Sequence, residues 1–247
     1  RDKIHWLLDD PDRDIETAFA PPGTEQVVIV ENQLGRTRCA LLNVVTMGEM
    51  VLPAIPGNLI PLGPVPTSAR HPGAGSLEAG WVGFYYSSRQ PMDLVRFSLA
   101  DLQPGRFTSL TRLWERTALR PNDLTPASDF SWISVDGMEV HGWLYRPKGE
   151  VHGTIIYIHG GPTWHSQDWI NAKIQYFAAV GFNVLDINYR GSTGYGMAFR
   201  EAIKADGWGG REMEDIRTGI EALLAAGIAQ EGKIGITGTS YGCLLYT

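Results

Sequence analysis

The chain has 247 residues, enough for one large domain or parts of two, and its 43% hydrophobic content fits a soluble globular protein. A net charge of -6 with no basic block excludes a nucleic-acid surface, and two cysteines, Cys39 and Cys243, exclude a disulfide framework and make the cytoplasm the expected compartment. No apolar run approaches the ~20 residues that span a bilayer, so no membrane partner is expected. The first residue is Arg1 rather than Met, and the expectation is a chain that starts inside a longer protein.

After an acidic opening, residues 26–30 read as a buried strand, Asn32-Gln33-Leu34-Gly35 as a turn, and residues 38–45 as a second strand. Further strands are expected at 81–86 and 94–99. Between them, residues 53–75 are dense in Pro and Gly and cannot hold a helix. Short strands without helical periodicity predict an all-β unit over residues 1–128, and a sandwich and a propeller fit that pattern equally well. His71 is expected in a surface loop, Tyr85 and Tyr86 in the core, and Cys39 as a small buried apolar group.

The pattern changes over residues 129–247. Residues 130–135 and 138–145 flank Asp136-Gly137, a two-residue hairpin signal. An apolar strand at 154–158 ends in His159-Gly160-Gly161-Pro162. A helix is expected over 168–180, a strand over 182–188, a glycine-rich loop over 189–196, and a short helix over 198–204. The clearest helix spans 211–226, with Ile216, Ile220, Leu223 and Leu224 on one stripe and Gly227 as its stop. Strand–helix alternation of this kind predicts a parallel sheet with right-handed crossovers.

The last strand, residues 234–236, reads as buried and runs into Gly238-Thr239-Ser240-Tyr241-Gly242, which fits G-x-S-x-G. A serine on a sharp strand-to-helix turn leaves no room for side chains two residues before or after it, so glycines are wanted at 238 and 242. The hydroxyl of Ser240 is thereby presented as a nucleophile, and the N–H of Tyr241 points at a developing oxyanion. The glycines after His159 supply bare N–H groups at the end of a neighbouring strand, where ligands bind in open parallel sheets.

Together these motifs resemble the prolyl oligopeptidase family of serine peptidases, on its acylaminoacyl-peptidase and dipeptidyl-peptidase side. The resemblance rests on Asp136-Gly137, His159-Gly160-Gly161-Pro162, residues 188–196, Asp206-Gly207-Trp208-Gly209, and Gly238-Thr239-Ser240-Tyr241-Gly242. It implies an α/β fold: the N-terminal half of an α/β-hydrolase domain (129–247) preceded by the last blades of a β-propeller (1–128), with 97–111 a closing strand. It further implies Ser240 as the catalytic nucleophile, Gly161 and Tyr241 as oxyanion-hole donors, and His159, Gly160 and Arg190 as residues lining the site. A buried ion pair of Arg190 with Asp215 or Glu212 stands beside that reading, and Trp164 and Trp208 are expected to pack. The implied partner is a short peptide or peptide-like substrate.

A serine nucleophile needs a histidine base and a carboxylate to orient it, following the serine in this fold. Seven residues follow Ser240, none of them Asp or His, and all six histidines precede it. The expectation is therefore a C-terminally truncated peptidase that is inactive by itself, with the strand at 234–236 left as an aggregation-prone edge. An esterase on the same scaffold and a non-catalytic propeller/half-hydrolase binding module are the alternatives. No His/Cys/Asp cluster has metal-ligand spacing, and no cofactor is expected.

Overall fold

The structure is a computed structural model that describes residues 6–65 and 80–245. His71 lies outside the described residues. Two four-stranded antiparallel sheets come first. One holds β1 (Asp14–Phe19), β2 (Gln26–Gln33), β3 (Arg36–Asn43) and β4 (Glu49–Val51). The other holds β5 (Asn58–Pro64), β6 (Gly80–Ser87), β7 (Gln90–Ser98) and β8 (Thr108–Ser109). Each is a meander in chain order, and the two share a core built by Val28, Val30, Leu41, Leu59, Trp81, Val95 and Phe97.

Several expectations shift here for identifiable reasons. β5 lies inside the Pro-rich stretch, because it is an edge strand with an irregularity between Pro61 and Gly63, where a missing N–H is tolerated. β3 ends at Asn43, whose side chain accepts from the amides of Val45 and Thr46 and turns the chain. The expected closing strand over 97–111 is instead the end of β7, a short 3₁₀ turn at Pro104–Arg106, and the two-residue β8.

The remainder forms a five-stranded sheet in the order β13-β11-β12-β10-β9. β9 (Ala127–Ile133) and β10 (Glu139–Tyr145) form an antiparallel hairpin; β11 (Gly153–Ile158), β12 (Phe182–Asn188) and β13 (Ile234–Gly238) run parallel. The hairpin loop has three residues rather than two: Gly137 donates to the Ser134 carbonyl, Ser134 donates to Met138, and Gly137 takes φ 87°. Successive side chains of β12 face opposite layers. Leu185 and Ile187 meet Ile216 and Leu223 of α3 (Arg211–Ala225), whereas Val184 packs with Trp143, Tyr145 and Ile174 of α1 (Ala172–Ala179). Burial on both faces leaves the strand covered almost throughout, and its polar Asn183, Asp186 and Asn188 find hydrogen-bond partners inside.

α1 begins at Ala172, not at 168. The peptide and carboxylate of Asp168 are held by the blades: its carbonyl accepts from Asn58 Nδ2 at 2.6 Å and its Oδ1 from the Ser88 amide at 2.7 Å. Asn171 then caps the helix through the amides of Lys173 and Ile174. α2 (Gly196–Glu201) continues as a 3₁₀ turn at Ala202–Ala205, and α4 (Tyr241–Leu244) follows β13. No helix among the described residues is long and apolar enough to cross a membrane.

The sheet has its topological switch at β11, since the chain adds β12 on one side and β13 on the other. The crevice at the carboxyl ends of β11 and β13 is where such a sheet binds ligands. β13 is itself an edge strand, and Ile236 is 41% exposed, so the strand is half-covered rather than buried.

Candidate active site

Three glycines determine the shape of the crevice. A Cβ at Gly242 would come within 2.3 Å of the Ile158 carbonyl oxygen, and one at Gly238 within 2.8 Å of both that oxygen and the Gly242 carbonyl. A Cβ at Gly160 would meet the Thr239 carbonyl at 2.9 Å and the Ser240 Cβ at 3.2 Å. The end of β11 and the turn after β13 are thus in backbone contact, and only glycine permits it. Ser240 pays for this placement with φ 55° and ψ -120°, a conformation that costs a non-glycine residue about 1–3 kcal/mol. Its side chain is exposed, and among the described residues its hydroxyl has no hydrogen-bond partner. Tyr241 opens α4, so its N–H has no acceptor within that helix.

His159 lies behind this turn. Its ring stacks on Tyr189 at 4.6 Å, with Nδ1 2.8 Å from the Gly160 carbonyl and Nε2 3.0 Å from Ser192 Oγ. Burial pushes its pKa down to about 4, so the ring is neutral at physiological pH. Both nitrogens are committed, and neither serves Ser240. A column continues through Tyr189, which stacks on Tyr241, to Trp208, which meets Tyr241 edge-on at 5.5 Å.

Arg190 is 1% exposed, and of its two readings the ion pair is what the fold contains. Its guanidinium donates to both Asp215 oxygens at 2.7 and 2.9 Å and to Asp136, while its own amide also donates to Asp215. Arg190 raises no free cation toward the crevice. It instead locks the 134–137 turn and α3 to the end of β12, and it holds Asp136 well below the usual carboxylate range.

A histidine–carboxylate pair does exist, at His141 and Asp129 (3.0 Å), but the other ring nitrogen faces Tyr195 Oη at 2.7 Å rather than Ser240. His165 bridges Asn32 of β2 and Thr193 at 2.8 and 2.7 Å. The structure therefore brings together Ser240, Tyr241 and Gly160 with His159 behind them, places Gly161 next along the turn against Thr163 and Trp164, and leaves Arg190 to a structural ion pair. Trp164 and Trp208, expected to pack, are 51% and 71% exposed. Their loops gave no periodicity from which exposure could be read.

Residues 168–247 match the model of the prolyl oligopeptidase family. Over those residues the chain is similar to the prolyl oligopeptidase family. Among curated relatives, it is 34% identical over 129 residues to the uncharacterized peptidase YuxL of Bacillus subtilis, covering 50% of this chain and 20% of that one. It is 32% identical over 186 residues to dipeptidyl peptidase family member 6 of Caenorhabditis elegans, covering 66% of this chain and 24% of the relative. The fold superposes on the Pyrococcus horikoshii acylaminoacyl peptidase with a TM-score of 0.75 at 22% identity, covering 98% of this chain and 36% of the other. A Mycobacterium tuberculosis puromycin-hydrolyzing peptidase gives 0.70 at 24%, covering 92% and 33%. The prolyl oligopeptidase fold here is the N-terminal half of an α/β-hydrolase domain preceded by the last blades of a β-propeller. The chain spans a quarter or less of the two curated relatives and about a third of the two solved chains.

Proposed function

We propose that Ser240 is the nucleophile of a serine peptidase that cleaves short peptides or peptide-like amides and esters through an acyl-enzyme. The observation that carries this reading is the exposed Ser240 at φ 55°, wedged between two glycines and against Gly160. Strained backbone of this kind persists where a reactive side chain must be presented. Ser240 Oγ attacks the scissile carbonyl carbon as its proton passes to a base. The carbonyl oxygen becomes an oxyanion held by the N–H groups of Gly161 and Tyr241. The C–N bond then breaks, the amine leaves with the proton, and water hydrolyses the ester on Oγ.

The base and its orienting carboxylate are proposed to come from outside the described residues, since His141, His159 and His165 are engaged elsewhere and His152 lies against Phe182. The name of one curated relative at 34% identity, dipeptidyl-peptidase 5 of Schizosaccharomyces pombe, supports peptide substrates. A non-catalytic binding module is the second reading, favoured by the unpartnered Ser240 hydroxyl.

The test uses the protein with its complete hydrolase domain and peptide p-nitroanilides. The peptidase reading predicts hydrolysis with a burst of one nitroaniline per enzyme when deacylation limits, and a loss of about 10⁶ in kcat for Ser240→Ala, as for a serine protease stripped of its nucleophile. Equal turnover by Ser240→Ala would reject it, and absence of any turnover by the wild type would favour the binding module.

A further inference from the structure

Acyl transfer at Ser240 leaves one costly arrangement beside it unused. Glu212, in the first turn of α3, is fully buried. Its Oε1 accepts from the Tyr241 hydroxyl and from the Gly209 amide at 2.6 Å, and its Oε2 has no hydrogen-bond partner. Burying a carboxylate with one oxygen unsatisfied is unfavourable. What the contact accomplishes is to tie the loop before α3 to the residue that follows Ser240.

That loop carries Trp208. It is held at one end by Asp206, paired with Arg211, and at the other by Gly209 on Glu212, with Gly207 and Gly209 at φ 74° and 81°. The Trp208 indole stands edge-on to the Tyr241 ring (5.5 Å, 81°) and is still 71% exposed. Most tryptophans lose far more of their surface on folding. Tyr241 is backed by Tyr189, so the indole has a firm neighbour on one edge and no second ring contact among the described residues.

We propose that Trp208 is a specificity-determining residue. Its indole forms one wall of the space that receives a large apolar or aromatic side chain next to the scissile carbonyl, and Glu212 is the positioning residue that keeps it there. The favoured substrate is therefore an amide or ester whose acyl residue is aromatic or a large aliphatic. This deepens the Ser240 reading and rests on it.

The experiment compares two p-nitroanilides that differ only in the acyl residue, Phe against Ala, in the protein with its complete hydrolase domain. Fluorophosphonate labelling of Ser240 is measured on every variant. Trp208→Ala is expected to lower the Phe/Ala ratio of kcat/KM about ten-fold, the scale of one apolar contact surface in a pocket, chiefly through KM for the Phe substrate. Trp208→Phe retains most of the ratio. Glu212→Gln keeps an oxygen for Tyr241 and preserves the ratio, whereas Glu212→Ala lowers it as Trp208→Ala does. An unchanged ratio in Trp208→Ala overturns the proposal and leaves the Ser240 reading standing. A parallel fall for both substrates, with labelling lost, overturns it too, because the indole would then only support the elbow. If the wild type is not labelled at Ser240, the peptidase reading fails and this inference falls with it.

Discussion

Asp186 is a carboxyl group placed where water cannot reach it. It lies in the centre of β12, with Oδ1 accepting from Ser166 Oγ at 2.5 Å and Oδ2 without a hydrogen-bond partner. Burial pushes its pKa up to about 7. Between its ordinary value near 4 and about 7, the native chain holds a proton that the unfolded chain has released, so stability contributed at low pH is lost as pH rises. His159 works the other way: with its pKa pushed down to about 4, the unfolded chain takes a proton below about 6.5 that the native ring refuses, and stability falls as pH drops. The two slopes oppose each other between about pH 4 and 6.5, and an isosteric change isolates one of them. Asp186→Asn is expected to match the wild type in thermal stability at pH 4 and to exceed it at pH 8, by about 4 kcal/mol at most. A difference that is the same at both pH values would show that Asp186 does not titrate between them.

At the level of elements, the ion cluster of Arg190, Asp136 and Asp215 does what hydrophobic packing alone does not. α3 presses Gly219 onto Trp132, where a Cβ would meet the ring at 2.8 Å, and Trp132 Nε1 donates to the Asp215 carbonyl. Asp215 then fixes Arg190 at the end of β12, one residue from the tyrosine that backs His159 and Tyr241. Removing one partner from a buried pair leaves the other charged and unsatisfied, so Asp215→Ala is expected to lower unfolding free energy by about 3–5 kcal/mol in urea titrations. A loss below about 1 kcal/mol would mean that water replaces the carboxylate at no cost.

Much of this level was legible in the sequence. α3 is found within one residue of its expectation because its stripe and its glycine stop agree: Gly227 takes φ 67°, and the amide of Ile228 closes on the Leu223 carbonyl. The glycines around Ser240 were legible because close backbone approach admits no other residue. β1 and β5 were not, since each is an edge strand with few buried side chains or with proline in it. The short α1 was hidden for another reason: Asp168 is taken by Asn58 and Ser88, about 80 or more positions earlier, and local pattern carries no trace of that. Exposure of Trp208 was equally invisible, because a short glycine-flanked loop carries no periodicity from which a buried or exposed face can be read.

Over the whole molecule, the first blade is fastened to the hydrolase part by the loop after β12. Asp14 Oδ2 accepts from the amides of Gly194 and Gly196, Leu34 donates to the Gly194 carbonyl, and a Cβ at Gly194 would collide with Asn32. Blade and crevice are thus parts of one arrangement. Among the described residues the exposed side of β13 has no such cover, and an apolar edge strand is a template for further pairing. The 247-residue chain by itself is expected to self-associate with rising concentration in sedimentation velocity, and Ile236→Lys is expected to shift it toward monomer. A sharply melting wild-type monomer at high concentration would contradict this.

The account turns on whether Ser240 is chemically activated. In the protein with its complete hydrolase domain, a fluorophosphonate should add one adduct mass, located by peptide mapping on Ser240 and absent from Ser240→Ala. An unlabelled Ser240, or an adduct that persists when it is replaced, would contradict the account.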